Sequence, residues 1–117
     1  MANLKRNTID LVTGFEADEI VTQTYYTPKF LSMEVLYEAL DLHERMTENK
    51  DKMSEKEMLN EIANFVANQI YEKQFTPEEL IKGLHAPQSS EILYQQIIFV
   101  TQGNQTAAGK KLMAKKG

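Results

Sequence analysis

The sequence has no cysteine and no tryptophan, and holds five glycines and three prolines in 117 residues. Without cysteine there is no disulfide framework, no thiolate nucleophile and no cysteine-ligated zinc. Long apolar runs are missing too. The longest are of the Ile97-Ile98-Phe99-Val100 kind, against the ~20 residues that a membrane-spanning helix needs. The first residues carry Lys5 and Arg6 but lead into Asp10 and Thr13, where an export signal has an apolar core. An intracellular chain, with no membrane partner, is therefore expected. Gly14, Gly83, Gly103, Gly109 and Gly117 are scattered, so no glycine-rich loop is available to cradle a phosphate.

What is present is ordinary for a folded protein. The chain is 42% hydrophobic and 26% charged, outside the disordered range, and its length accommodates one hydrophobic core and not two. Charge is unevenly spread. Residues 104–117 contain Lys110, Lys111, Lys115 and Lys116 and no acid, while the remainder sets nine basic side chains against seventeen acidic ones, a net −8. So acidic a body repels phosphate at long range, which argues against nucleic acid as a partner.

The pattern predicts a mainly α fold of about four helices. One small domain is expected over residues 1–103, opening with a short N-terminal β-hairpin, and a flexible basic tail over 104–117. Ile20 to Tyr26 is β-branched and aromatic, a strand composition, and Thr8 to Val12 is its expected partner across a loop from Phe15 to Glu19. Pro28 ends the pairing. A first helix is expected from Ser32 as N-cap to about Met46. Ser54 and Glu57 form an S-x-x-E capping box between Met53 and Met58, and Thr76 and Glu79 repeat the device with Pro77 at the first helical position and Phe75 and Leu80 as staple. Gly83 reads as a left-handed stop and Pro87 as a break, with a fourth helix from about Gln88 until Gly103 ends it.

The first helix carries two apolar stripes. Met33, Leu36, Tyr37 and Leu40 share one side; Val35, Ala39, Leu42 and Met46 share roughly the opposite one. Either the hairpin covers one stripe and the other helices the second, or one stripe is a contact between proteins. In the second reading Val35, Ala39, Leu42 and Met46 are the contact residues and the chain forms a homo-oligomer.

Catalytic patterns fail on inspection. His43-Glu44 opens like a zinc-protease helix, but the second histidine is replaced by Thr47. His85 lies in a loop without triad partners. The carboxylates Glu34, Glu38, Asp41 and Glu44 read as a solvated helix face. No enzyme activity, metal or cofactor is expected. The third and fourth helices could be arranged as a helix-turn-helix, but the would-be recognition helix has no Lys or Arg from Gln88 to Gln102. A small DNA-binding regulator and a non-catalytic adaptor subunit are the alternatives, separable by salt-dependent DNA binding and by co-purification with an enzyme.

The order of these features resembles the tail assembly chaperones of long-tailed phages and prophages of Gram-positive bacteria. Carrying the likeness are Tyr25-Tyr26-Thr27-Pro28-Lys29-Phe30 running into a helix rich in leucine and glutamate, a polar loop, and two helices around Phe75-Thr76-Pro77-Glu78-Glu79-Leu80-Ile81-Lys82-Gly83-Leu84. The resemblance spans roughly residues 20–103. It implies a helical protein that coats the tape-measure protein until tail-tube subunits polymerise around it, acting in the host cytoplasm and absent from the mature virion. It implies no catalytic residues. It also implies a longer product made by ribosomal frameshifting, of which this sequence would be the shorter form. Lys110-Lys111 and Lys115-Lys116 require adenine-rich message, a candidate slippage site; the alternative is simply a basic, solvated tail.

Overall fold

The computed structural model describes residues 4–103, in the order β1 (Thr8–Glu16), β2 (Glu19–Tyr26), α1 (Met33–Glu48), α2 (Glu55–Phe65), a π-helical turn (Val66–Ile70), α3 (Pro77–Gly83) and α4 (Ala86–Gln102). Four helices and an N-terminal antiparallel hairpin are thus present. The tail lysines Lys110, Lys111, Lys115 and Lys116 lie outside the described residues.

The hairpin is longer and its turn tighter than expected. β1 and β2 pair from Thr8 opposite Tyr26 to Glu16 opposite Glu19, with a bulge between Val12 and Gly14. The turn is Ala17-Asp18 alone, both residues at positive φ (48° and 69°). Such a two-residue turn matches the right-handed twist of the strands, although it usually recruits Asn or Gly. Ile9 and Leu11 are buried on the inner face of β1. On β2, Tyr25 meets Phe75 edge-on, ring centroids 4.8 Å apart.

Capping separates the helix starts. Ser54 Oγ accepts from the Glu57 N–H at 3.1 Å, so the serine half of that box forms. The Thr76 box is complete: Thr76 Oγ1 accepts from Glu79 N–H at 3.1 Å, and Glu79 Oε1 accepts from Thr76 N–H at 2.9 Å. Ser32 occupies the N-cap of α1 without a side-chain bond. At the end of α2 the backbone widens, and Tyr71 N–H donates to the Val66 carbonyl five residues back at 3.0 Å. The extra residue in that turn redirects the chain beyond it, and Val66, Ala67, Ile70 and Tyr71 all become fully buried. Glu72 and Lys73, both at positive φ, then reverse the chain toward Phe75.

Gly83 does not act as a left-handed stop. Glycine is required there because α3 presses onto β1: a Cβ at position 83 would lie 2.9 Å from Leu11 Cβ and 3.2 Å from the Val12 carbonyl. Pro87 likewise does not break the helix but sits in the first turn of α4, where its missing N–H is not needed. Gly103, at φ 75°, ends α4 as expected.

A buried polar node ties the root of the hairpin to the helices. Gln96 Oε1 accepts from the Tyr71 hydroxyl at 2.6 Å and from Asn7 Nδ2 at 3.3 Å, while Gln96 Nε2 donates to the Thr8 carbonyl at 3.3 Å. Asn7 N–H donates to Thr27 Oγ1, and Thr27 N–H to the Asn7 carbonyl, each at 3.0 Å. Burial, and to a lesser extent the Asp10 carboxylate, push the Tyr71 phenol up from its ordinary value. The hydroxyl therefore stays protonated and keeps its role as donor. Among the described residues no buried side-chain polar atom is left without a partner, the condition under which a polar node in a core stabilises rather than weakens it.

Candidate functional site

The two stripes of α1 are assigned by burial. Ala39 and Leu42 are 0% and 4% exposed, whereas Met33 and Leu40 are 62% and 49% exposed. Val35 and Met46 pack against the core alongside Ala39 and Leu42. The stripe read as a protein contact is thus this helix's core-facing side, and the open apolar side is Met33, Tyr37 and Leu40. Periodicity alone leaves the choice symmetrical, because both stripes have four apolar members at helical spacing. Packing of α1 against α2 and α4 breaks that symmetry.

The open side continues beyond α1. Leu4 and Phe30 are exposed at one end, and Tyr94 and Ile98 of α4 at the other. Two grooves mark its ends. The first, about 410 Å³, is bordered by Leu4, Lys5, Lys29, Phe30, Met33 and Leu36 from the N-terminal segment and the start of α1. The second, also about 410 Å³, runs between α1 and α4 past Leu40, His43, Met46, Tyr94, Ile97 and Ile98, and reaches Thr101 and Gln102 at the end of α4. Tyr94 and Ile98 give no signal at the level of sequence, since the apolar residues of α4 form no single clear stripe.

The electrostatics of this surface are one-sided. Glu34, Glu38, Asp41, Glu44 and Glu48 of α1 are all exposed. Arg45, the basic residue of that helix, is held on the other flank by Glu61 of α2 at 2.9 Å. Glu91 is the sole charged residue of α4. Of the α1 acids, Glu38 and Asp41 border the cleft between α1 and α2 together with Arg45 and Glu61, whereas Lys5 and Lys29 stand beside the first groove.

An exposed apolar surface of this kind is what contacts between proteins are commonly made from. Among the described residues no three His, Asp or Glu side chains gather as a metal site, and no helix is long and apolar enough to cross a membrane. His43 lies on the wall of the second groove, and His85 sits at the N-cap of α4 without a side-chain cap bond.

Comparison with known proteins places the chain by its sequence as a whole. Neither a curated protein nor a solved structure matches it. A family model described as phage tail chaperone protein matches residues 3–117, nearly the whole length, and the chain accordingly belongs to the phage tail chaperone family.

Proposed function

We propose that this chain is a tail assembly chaperone that binds helices of the tape-measure protein along the open face of α1 and α4. The observation that carries the proposal is the set of exposed apolar side chains on these elements, Phe30, Met33, Tyr37 and Leu40, with Tyr94 and Ile98 across the second groove from Leu40. A helix laid onto such a surface buries its own apolar stripe, which keeps a long tape-measure chain from aggregating before the tail tube surrounds it. The protein acts in the host cytoplasm, self-associates so that several copies coat one tape measure, and is absent from the finished virion. Recruitment of tail-tube subunits falls to a longer product, made when the ribosome slips on the message for Lys110-Lys111 or Lys115-Lys116. A helix-turn-helix reading gains no support, because α4 carries neither Lys nor Arg.

Co-expression tests the central claim. Tape-measure protein produced with this chain should remain in the soluble fraction and co-elute with it. Leu40→Asp with Tyr94→Asp should leave the chaperone folded and the tape measure insoluble. A tape measure that is equally soluble without the chaperone, or with the double variant, overturns the proposal. The frameshift is read separately, by mass spectrometry of the natural product: a single species of this length, from a message whose lysine pairs are interrupted by AAG codons, removes it.

A further inference from the structure

We infer that the outer edge of β2 pairs with the same edge of a second copy of this chain, antiparallel and centred on Thr22, to make one four-stranded sheet. The inference rests on the proposed self-association, places it apart from the open face of α1 and α4, and is independent of the tape-measure reading.

The two edges of the hairpin are unlike. That of β1 is closed by helices: the Thr8 carbonyl accepts from Gln96 Nε2 of α4, and a Cβ at Gly83 of α3 would lie 3.2 Å from the Val12 carbonyl. None of the eight residues of β2 is buried. Lysine, proline and bulges are common means by which a strand edge is kept from pairing. The run Glu-Ile-Val-Thr-Gln-Thr-Tyr-Tyr contains neither lysine nor proline, and the bulge of this hairpin lies on β1. From Thr13 to Ile20 the hairpin has no buried residue at all, and a two-stranded ribbon without support is marginal in water.

The phase of the ladder identifies the backbone groups that face outward. In an antiparallel pair, alternate residues turn their N–H and C=O away from the neighbouring strand. Tyr26 is one of them, since Gln74 Nε2 donates to its carbonyl from outside the hairpin at 2.8 Å. Counting back by twos, Thr24, Thr22 and Ile20 turn the same way. The Thr24 carbonyl accepts from the adjacent Gln23 Nε2 at 3.3 Å and keeps a second lone pair. The other outward groups of these three residues have no partner among the described residues. With Tyr26 taken at one end and the Ala17-Asp18 turn at the other, the free edge runs from Ile20 to Thr24 and is symmetrical about Thr22.

That symmetry selects a second copy as the occupant. One register uses all three free residues of both chains: Thr22 pairs with the partner's Thr22, and Ile20 with the partner's Thr24. Between these pairs Val21 faces the partner's Gln23, and Glu19 faces the partner's Tyr25. No like charges are opposed. Ile20, 62% exposed in the single chain, gains a cross-strand neighbour. The two-fold axis makes the contact isologous and closes it at two copies.

Charge at position 22 tests the pairing. Thr22 is exposed, so Thr22→Lys and Thr22→Glu should keep the parent's circular dichroism. In light scattering the parent chain should double its mass as concentration rises. Each variant alone should lose the dimer, because like charges then meet across the axis, and an equimolar mixture of the two should regain it. Register is read by disulfide formation, since the chain has no cysteine of its own. Val21→Cys and Gln23→Cys, about 4.5 Å apart between Cα atoms in such a pair, should cross-link faster when mixed than either does alone. A parent chain that is monomeric at every concentration overturns the inference and removes the proposed self-association with it. If Thr22→Lys then also abolishes co-elution with tape-measure protein, the edge belongs to a strand of that protein instead. Dimers that persist in both charge variants, or that Leu40→Glu abolishes and Thr22→Lys does not, overturn the inference and leave self-association to α1. Preferential cross-linking of Gln23→Cys with itself means another register and also overturns it.

Discussion

The hydroxyl of Tyr71 and the side-chain amide of Gln96, 25 residues apart in sequence, meet at 2.6 Å in a site fully closed to solvent. The same Gln96 oxygen also accepts from Asn7, so one side chain of α4 joins the end of α2 to the root of the hairpin. Tyr71→Phe should lower stability by about 1–2 kcal/mol. Gln96→Leu removes at once the bonds that the Tyr71 hydroxyl, the Asn7 amide and the Thr8 carbonyl make to that side chain and should cost on the order of 3 kcal/mol or more. Urea denaturation of the two variants measures both.

The same tyrosine predicts an alkaline limit to stability. Its folded-state pKa is raised, by burial first and by Asp10 second, above the ordinary value of 10.0. The folded chain then holds this proton more tightly than the unfolded chain does. The contribution is complete below about pH 10 and is lost as pH rises further, because deprotonation draws the unfolded state. Between pH 9 and pH 11, roughly the range around a free phenol's pKa, Tyr71→Phe should show a shallower fall in unfolding free energy than the parent chain. Parallel curves would mean that Tyr71 ionises as readily folded as unfolded.

On α1, substitutions at neighbouring positions should have opposite consequences. Ala39→Glu and Leu42→Glu place a charge among fully packed neighbours and should unfold the chain, several kcal/mol being a typical penalty for an unpaired buried charge. Met33→Glu and Leu40→Glu lie on the open side and should change stability by no more than about 0.5 kcal/mol. The latter pair should instead abolish concentration-dependent light scattering, if the proposed self-association uses this face. Circular dichroism with scattering separates the two classes.

The contact between Gly83 and Leu11 should not tolerate a methyl. Gly83→Ala drives a methyl to within 2.9 Å of Leu11 Cβ, and overpacking of this kind costs typically about 1–3 kcal/mol. Leu11→Ala alone opens a cavity in the core but keeps the Cβ that the new methyl meets, so it does not remove the clash in the double variant. The two losses should therefore be close to additive. A double variant clearly more stable than the sum in thermal unfolding would show that β1 shifts into the cavity and away from α3.

The three helix starts predict a graded series. Thr76→Ala removes one of two reciprocal bonds and should cost about 1 kcal/mol, Ser54→Ala the same or less, and Ser32→Ala close to nothing. Ser32 occupies the cap position without using its hydroxyl. Three midpoints from one denaturant titration suffice, and a Ser32→Ala loss as large as that at Thr76 contradicts the geometry.

Legibility from sequence tracks how local each determinant is. The caps at Ser54 and Thr76 are readable because a capping box is complete within four residues. The strand at Ile20–Tyr26 is readable from its β-branched and aromatic content, but the turn is not: Ala17-Asp18 lacks the Asn or Gly that advertises such a turn, and a longer loop is the natural expectation. Gly83 stands out in the sequence for the wrong reason, since the residue that needs its missing side chain, Leu11, lies far away along the chain. The π-helical turn leaves no compositional trace, which hides the burial of Tyr71. For the candidate site, the existence of surplus apolar surface on α1 is legible, and its side is not. Which stripe remains open depends on where α2 and α4 pack.

The node at Gln96 also sets an order of events during synthesis. The hairpin is local and can pair as soon as residue 26 has emerged, but the bonds that the Asn7 side-chain amide and the Thr8 carbonyl make to Gln96 come from some ninety positions later. Until α4 is available the Tyr71 hydroxyl has no acceptor there either. Closing so long a span is entropically costly and comes late in folding. A nascent chain that has passed α3 but not reached Gln96 therefore carries a formed hairpin with an unfinished seat, and α4 is the helix that locks the first strand in place.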